Sequence, residues 1–234
     1  MWLRRFRSTR SQGVQDMTIP SIPTRGRTLD YAAPVYDLLE PLFLLMKQAE
    51  YDLTLIEALD PGPSDTILDL GCGTGVLCRM IAERLQPELG GSVTGIDAAG
   101  KMIEVARKKR GAPHCRFEAM AAEHLLFDDE TFDAVVSSLF FHHVPLDLKK
   151  LSLQEAFRTL KPGGKLIIAD MHKPTTFMGW LVSHVSRWFF MQPQIGENIR
   201  GVLPDLMVEA GFPPPRTVAQ YFGYITVFAT SKPQ

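Results

Sequence analysis

Cysteine is scarce in this 234-residue chain: only Cys72, Cys78 and Cys115 occur. Their spacing gives neither a zinc-ligand pattern nor a disulfide framework. No metal site is expected, and all three read as reduced, non-catalytic thiols of a cytoplasmic protein. Net charge is nearly absent too, with 25 Lys and Arg against 26 Asp and Glu, which removes any general drive toward nucleic acid. No run of about eighteen apolar residues exists, so nothing is expected to span a membrane. Internal repeats are also lacking. What remains, 45% apolar and 22% charged, suits one globular domain with a full core.

The charge that is present is uneven. Residues 1–27 carry Arg4, Arg5, Arg7, Arg10, Arg25 and Arg27 against the single acid Asp16. Such an arm reads as a flexible basic tail, a membrane-surface contact or a transit-like peptide, and it lacks the apolar centre of a secretory signal. Met17 offers an alternative start that would leave residues 1–16 outside the natural protein. The expected organisation is therefore an arm over 1–27 and one domain over 28–234.

The most informative stretch is Ile67-Leu68-Asp69-Leu70-Gly71-Cys72-Gly73-Thr74-Gly75-Val76-Leu77. An apolar strand holding one acid runs into glycines at alternating positions. Val76, Leu77, Met80, Ile81 and Leu85 then recur at helical spacing. Glycine reaches positive φ without a Cβ penalty, so a ligand can lie against bare backbone. Open α/β sheets bind ligands at this carboxyl edge. The dinucleotide fingerprint is Gly-x-Gly-x-x-Gly, whereas here the spacing is Gly-x-Gly-x-Gly. Asp69 would repel a pyrophosphate and tolerate a cationic or zwitterionic ligand. Ser92-Val93-Thr94-Gly95-Ile96-Asp97 reads as a second strand ending in an acid able to accept both hydroxyls of a ribose. A helix is expected over Lys101–Arg110, a fourth strand over Phe132–Leu139, and a turn Lys161-Pro162-Gly163-Gly164 into a fifth strand, Lys165–Asp170.

These segments resemble, in order and spacing over roughly residues 31–230, the class I S-adenosylmethionine-dependent methyltransferases, Asp69 to Gly75 matching that family's first motif. Within it the chain looks most like the ubiquinone/menaquinone-biosynthesis C-methyltransferases and bacterial phospholipid N-methyltransferases. The resemblance implies a Rossmann-like α/β fold: a seven-stranded, mostly parallel sheet with an antiparallel C-terminal strand and helices on both faces. It further implies S-adenosylmethionine as cofactor, held by Asp69, Gly71, Cys72, Gly73, Gly75, Asp97, Ala98 and Ser138. Met102 resembles the position packing on adenine, with ordinary core as the other reading. One departure stands out. Aligning Ala122-Glu123-His124-Leu125 on the motif after the third strand puts Ala121 where an adenine-reading Asp is usual. With Ala121, Ala122 and Glu123 in the expected cofactor set, that contact must come from Glu123, from backbone, or not at all.

A helical lid over 28–60 is expected to bring Tyr31 or Tyr36 onto the cofactor's amino acid end, an aromatic face suiting the sulfonium. The candidate general bases are His143, then His142, His172 and Asp170, all following the fourth and fifth strands. An aromatic insert spans 174–200. As a helix, residues 177–191 put Phe177, Leu181, Val185 and Trp188 along one side and Ser183, Ser186 and Arg187 toward the other. That is packing on the domain, a lid over a lipophilic acceptor, or a membrane-interface helix. A small lipophilic acceptor is expected, either a quinol precursor or an aminophospholipid, with peripheral membrane contact through the arm or residues 177–191. Two rivals carry different chemistry: a non-catalytic S-adenosylmethionine-binding protein, and an NAD-dependent oxidoreductase, against which Asp69 and the glycine spacing speak.

Overall fold

Thr66–Leu70 (β1) and Phe132–Ser138 (β4) have apolar centres and are buried along almost their whole length, as strands covered on both faces must be. A computed structural model of the chain describes residues 18–31, Ala33, 47–189 and 193–234. The first helix, α1 (Gln48–Leu59), precedes β1. Then follow α2 (Val76–Ala82), β2 (Ser92–Asp97), α3 (Gly100–Arg110), β3 (Cys115–Ala119), β4, α4 (Leu146–Thr159) and β5 (Leu160–Met171). The insert supplies α5 (Phe177–Phe189) and α6 (Pro193–Arg200), before α7 (Leu203–Glu209) and the hairpin β6 (Arg216–Tyr221) and β7 (Ile225–Ser231).

The seven strands lie in the order β3-β2-β1-β4-β5-β7-β6. Only β7 runs against its neighbours. The chain builds outward from β1 to β3, then jumps back to place β4 on the other side of β1. The carboxyl ends of β1 and β4 thus form the switch point where such sheets hold ligands. Successive residues of β1 feed opposite cores: Ile67 joins Leu55, Ile81 and Ile103 of α1–α3, whereas Leu68 joins Leu153 of α4 and Leu206 of α7. Helices therefore cover both faces.

Two expected boundaries differ. Strand β5 begins at Leu160, which pairs with Phe132, before Lys161–Gly164 bulges and Lys165 resumes opposite Ala134. The turn residues interrupt the strand instead of preceding it. Nor does the basic arm extend to residue 27. The Ile22 amide donates to Ala98 and that of Arg27 to His143, while Arg25 pairs with Asp147, so residues 18–27 strap onto the domain. Residues 34–46 of the expected lid lie outside the described residues.

Gly75 sits at φ +83°, and a Cβ there would meet the Phe117 ring at 2.4 Å. Helix α2 lies this close to β3 only because the position is bare. Gly75→Ala is expected to destabilise the chain by about 1–3 kcal/mol through backbone strain and overpacking. Chemical denaturation checks this, and Phe117→Leu should restore part of the loss.

Candidate active site

Gly71 separates two clefts at the switch point. It is held at φ +74°, where a Cβ would strike the Phe140 side chain at 2.4 Å. The amides of Gly71 and Cys72 both donate to the Ile96 carbonyl at 2.9 Å, tying the turn to β2.

The first cleft is bounded by the loop from Gly71 to Thr74, by Asp69 and Ser138 at the strand ends, and by Gln48 and Asp52 of α1. Asp69 is buried, and its Oδ2 accepts the Cys78 thiol at 3.1 Å. Loss of water raises its pKa to about 7, with Asp97 and Asp52 adding repulsion against the Cys78 bond. Asp52 is likewise raised to about 6 by burial, opposed by Gln48, whose amide donates to both carboxylate oxygens at 3.2 and 3.0 Å. Tyr51 and Ser138 share a hydroxyl hydrogen bond of 2.9 Å. Two dehydrated carboxylates beside unpaired space favour a cation. Burial also raises the Cys72 thiol to about 11, so it stays protonated.

The second cleft, across Gly71, is lined by Ile96, Asp97, Ala98, Met120, Ala122, Glu123 and Phe140, with Thr24, Gly26 and Arg27 of the strap. Asp97 bridges two turns: Oδ2 accepts the Gly73 amide at 3.0 Å and Oδ1 that of Ala99 at 2.8 Å. Burial nonetheless lifts its pKa to about 6, against these two bonds. Its carboxylate is thus fixed in orientation, with lone pairs left over for ligand hydroxyls. Glu123 accepts the Thr24 hydroxyl.

Beyond β4, Leu139 adopts φ +52°, a conformation unfavourable for a branched side chain, and the chain turns through Phe141–His143. Here His142 Nδ1 lies 2.8 Å from Asp170 Oδ1. Asp170 is fully buried and also receives the Met171 amide at 2.7 Å and Asn198 Nδ2 of α6 at 3.2 Å. An Nδ1–H donated to this carboxylate leaves the imidazole lone pair on Nε2. The His142 side chain is 12% exposed, so one edge reaches solvent.

Several expected positions fall elsewhere. Gly75 packs against Phe117, and Met102 is buried with Ala33 and Ala99, neither lining a cleft. Ala121 is buried and does not line the second cleft, though its neighbours Met120 and Ala122 do. Tyr31 is 68% exposed and takes a hydrogen bond from Arg27 at the rim of the second cleft, without lining either cleft itself; Tyr36 lies outside the described residues. The His143 ring lies 4.0 Å from that of His142. His172 packs edge-on to Phe228, and burial together with Lys173 lowers its pKa, which keeps it neutral. Gln48, Asp52, Thr24 and Asn198 were not foreseen. Asp52 had left a signal, since it shares the buried face of α1 with Tyr51, Leu55, Ile56 and Leu59.

This donor set fits S-adenosylmethionine. Asp69 and Asp52 match its cationic end, Asp97 its ribose, and Met120, Ala122 and Phe140 an apolar ring. A cation in the first cleft favours the charged carboxylates, so binding should release protons near pH 6.5 and tighten as pH rises from 5 to 8. In the free chain the sign reverses. Folded pKa values above the ordinary 3.8 mean these two groups remove stability as pH rises from about 4 to 7. Calorimetry of S-adenosylhomocysteine in buffers of different ionisation enthalpy measures the release. Asp52→Asn should reduce it and weaken binding about tenfold; an unchanged pH dependence would remove Asp52 from the cofactor site.

Residues 67–164 match the family described as methyltransferase domain. A 2-phytyl-1,4-naphthoquinone methyltransferase of Trichormus variabilis is 33% identical over 165 residues, which is 67% of this chain and 70% of the relative. A ubiquinone/menaquinone biosynthesis C-methyltransferase of Geotalea daltonii is 28% identical over 191 residues, 77% and 78% of the two chains. Among solved structures, a phosphoethanolamine N-methyltransferase 2 of Haemonchus contortus in complex with S-adenosyl-L-methionine matches in fold with a TM-score of 0.61 at 18% identity, covering 79% of this chain and 53% of that one. The N-methyltransferase NodS of Bradyrhizobium japonicum gives 0.59 at 17% identity, covering 80% and 97%. With buried carboxylates lining clefts on either side of Gly71, the chain belongs to the methyltransferase-domain family and is an S-adenosylmethionine-dependent methyltransferase.

Proposed function

We propose that this enzyme methylates a ring carbon of a lipophilic quinol. The observation that carries the reading is the His142–Asp170 pair beyond the carboxyl ends of β4 and β5. A quinol carbon becomes nucleophilic once a phenolic oxygen loses its proton, so a positioned base is required. The named quinone methyltransferases among the relatives support the same acceptor class.

S-adenosylmethionine, when bound, supplies a methyl group on a positively charged sulfur. The chain does the rest. Asp69 and Asp52 hold the cationic end, and Asp97 fixes the ribose. His142 Nε2 takes the phenolic proton, while Asp170 keeps the imidazole in the Nδ1–H tautomer and stabilises the imidazolium. Methylation of an aromatic C–H releases one proton overall, which the exposed edge of His142 can pass to water. Holding the ring carbon in line with the methyl is worth ~7–11 kcal/mol in well-oriented systems. His142 therefore takes the place of His143 as the leading base, and His172 serves packing.

The first experiment offers labelled methyl donor with demethylated quinols and, separately, with aminophospholipid. Label in the quinol ring is the expected result. Label only in the phospholipid amine moves the acceptor to nitrogen. On the quinol, His142→Ala should lower turnover by about 10²–10⁴-fold with cofactor affinity unchanged. Asp170→Asn should shift the pH–rate profile, and His143→Ala should cost less than about tenfold. Full turnover in His142→Ala would rule out the base.

A further inference from the structure

Helix α5 is turned inside out. In an ordinary surface helix the apolar stripe faces the core and the polar side faces water. Here Gly179 and Ser183 are buried, whereas Phe177, Met178, Trp180, Leu181, Val185 and Trp188 are exposed. The exposure is large, 75% at Phe177, 62% at Met178 and 81% at Trp188. The orientation is anchored. Gly179 lies so close to Gly223 that a Cβ would meet its carbonyl oxygen at 2.3 Å, and the Thr175 amide donates to that carbonyl at 2.8 Å. On the far side Arg187 lies against Gly196 of α6, and α6 is joined to the catalytic pair through Asn198.

Charge narrows what covers this face. From Met171 to Gly196 no acid occurs, while Lys173 and Arg187 are both exposed cations. A helix with Trp, Phe and Leu outward and cations on its flanks has the composition of one lying in the interface of an anionic bilayer. Trp180 stacks with Phe177 at 6.1 Å and packs at a tilt against His184 at 4.4 Å, forming a broad amphipathic surface of the kind enriched at headgroup depth.

We infer that α5 docks the enzyme on an anionic phospholipid surface, holding the insert against the bilayer in which a lipophilic acceptor resides. The role in acceptor delivery rests on the acceptor reading above; the docking geometry does not.

The test uses the full chain and sedimentation with vesicles of phosphatidylcholine, with and without phosphatidylglycerol. The triple variant Phe177→Ser, Trp180→Ser and Trp188→Ser is compared with an arm variant in which Arg4, Arg5, Arg7 and Arg10 become Gln. Wild type should bind the anionic vesicles, and the triple variant should bind at least about tenfold more weakly. The triple variant should keep S-adenosylhomocysteine binding and turnover of a short-chain, water-soluble quinol, while losing turnover of bilayer-held quinol. Failure on the soluble quinol in wild type would strike the acceptor reading and leave the docking result standing. Unchanged vesicle binding in the triple variant, or binding lost only in the arm variant, would overturn the docking role. So would a wild type that ignores vesicles but forms a dimer the triple variant abolishes, because the face would then belong to a second copy.

Discussion

The contact between the Phe140 ring and the bare α-carbon of Gly71 is the constraint on which the site depends. No other residue leaves room there, and positive φ at Gly71 turns the loop back onto Ile96. Because Phe140 lies two residues beyond the end of β4, the same contact fixes where that strand's exit begins. The two clefts and the histidine turn are therefore set relative to one another by one close approach. Interiors packed to crystal density transmit such positioning with little slack.

Charge within the site follows from burial more than from pairing. Asp69, Asp52 and Asp97 all sit where water has been removed, and each is raised despite hydrogen bonds that oppose the rise. A site so arranged holds unspent electrostatic attraction for a cation, because its own donors are neutral thiol, amide and backbone groups. Asp170 differs, being surrounded by donors from three elements. A buried carboxylate so placed can hold the neighbouring imidazole in one tautomer.

The insert links these chemistries to the surface. Lys149 is fully buried on α4, where it reaches Glu197 and the Gln194 carbonyl of α6, and the neighbouring Asn198 reaches Asp170. Burying a lysine costs solvation unless it is paired, so α6 is held to the domain by polar bonds at specified positions. Helix α5, by contrast, touches the domain through glycine and serine and turns its large side chains outward. The two insert helices thus divide the work, one facing the site and one facing the surroundings.

What the amino-acid order alone determined was local. Alternating glycines after an apolar strand require positive φ, an acid closes the next strand, and apolar periodicities separate strands from helices. Those features depend on neighbours in sequence, so the sheet, the glycine turn, Asp69 and Asp97 were legible. Tertiary structure decided the rest. His142 and His143 are adjacent and chemically identical, and only the position of Asp170, 28 residues later, selects between them. Asp52 lines the first cleft because α1 lies over the switch point. Residues 18–27 read as a basic tail until Ile22 and Arg27 are seen bonded to Ala98 and His143. The two sides of α5 were plain from its spacing, but which one meets the domain was not. Periodicity defines two sides of a helix, and the close approach at Gly179 and Gly223 sets which of them is buried.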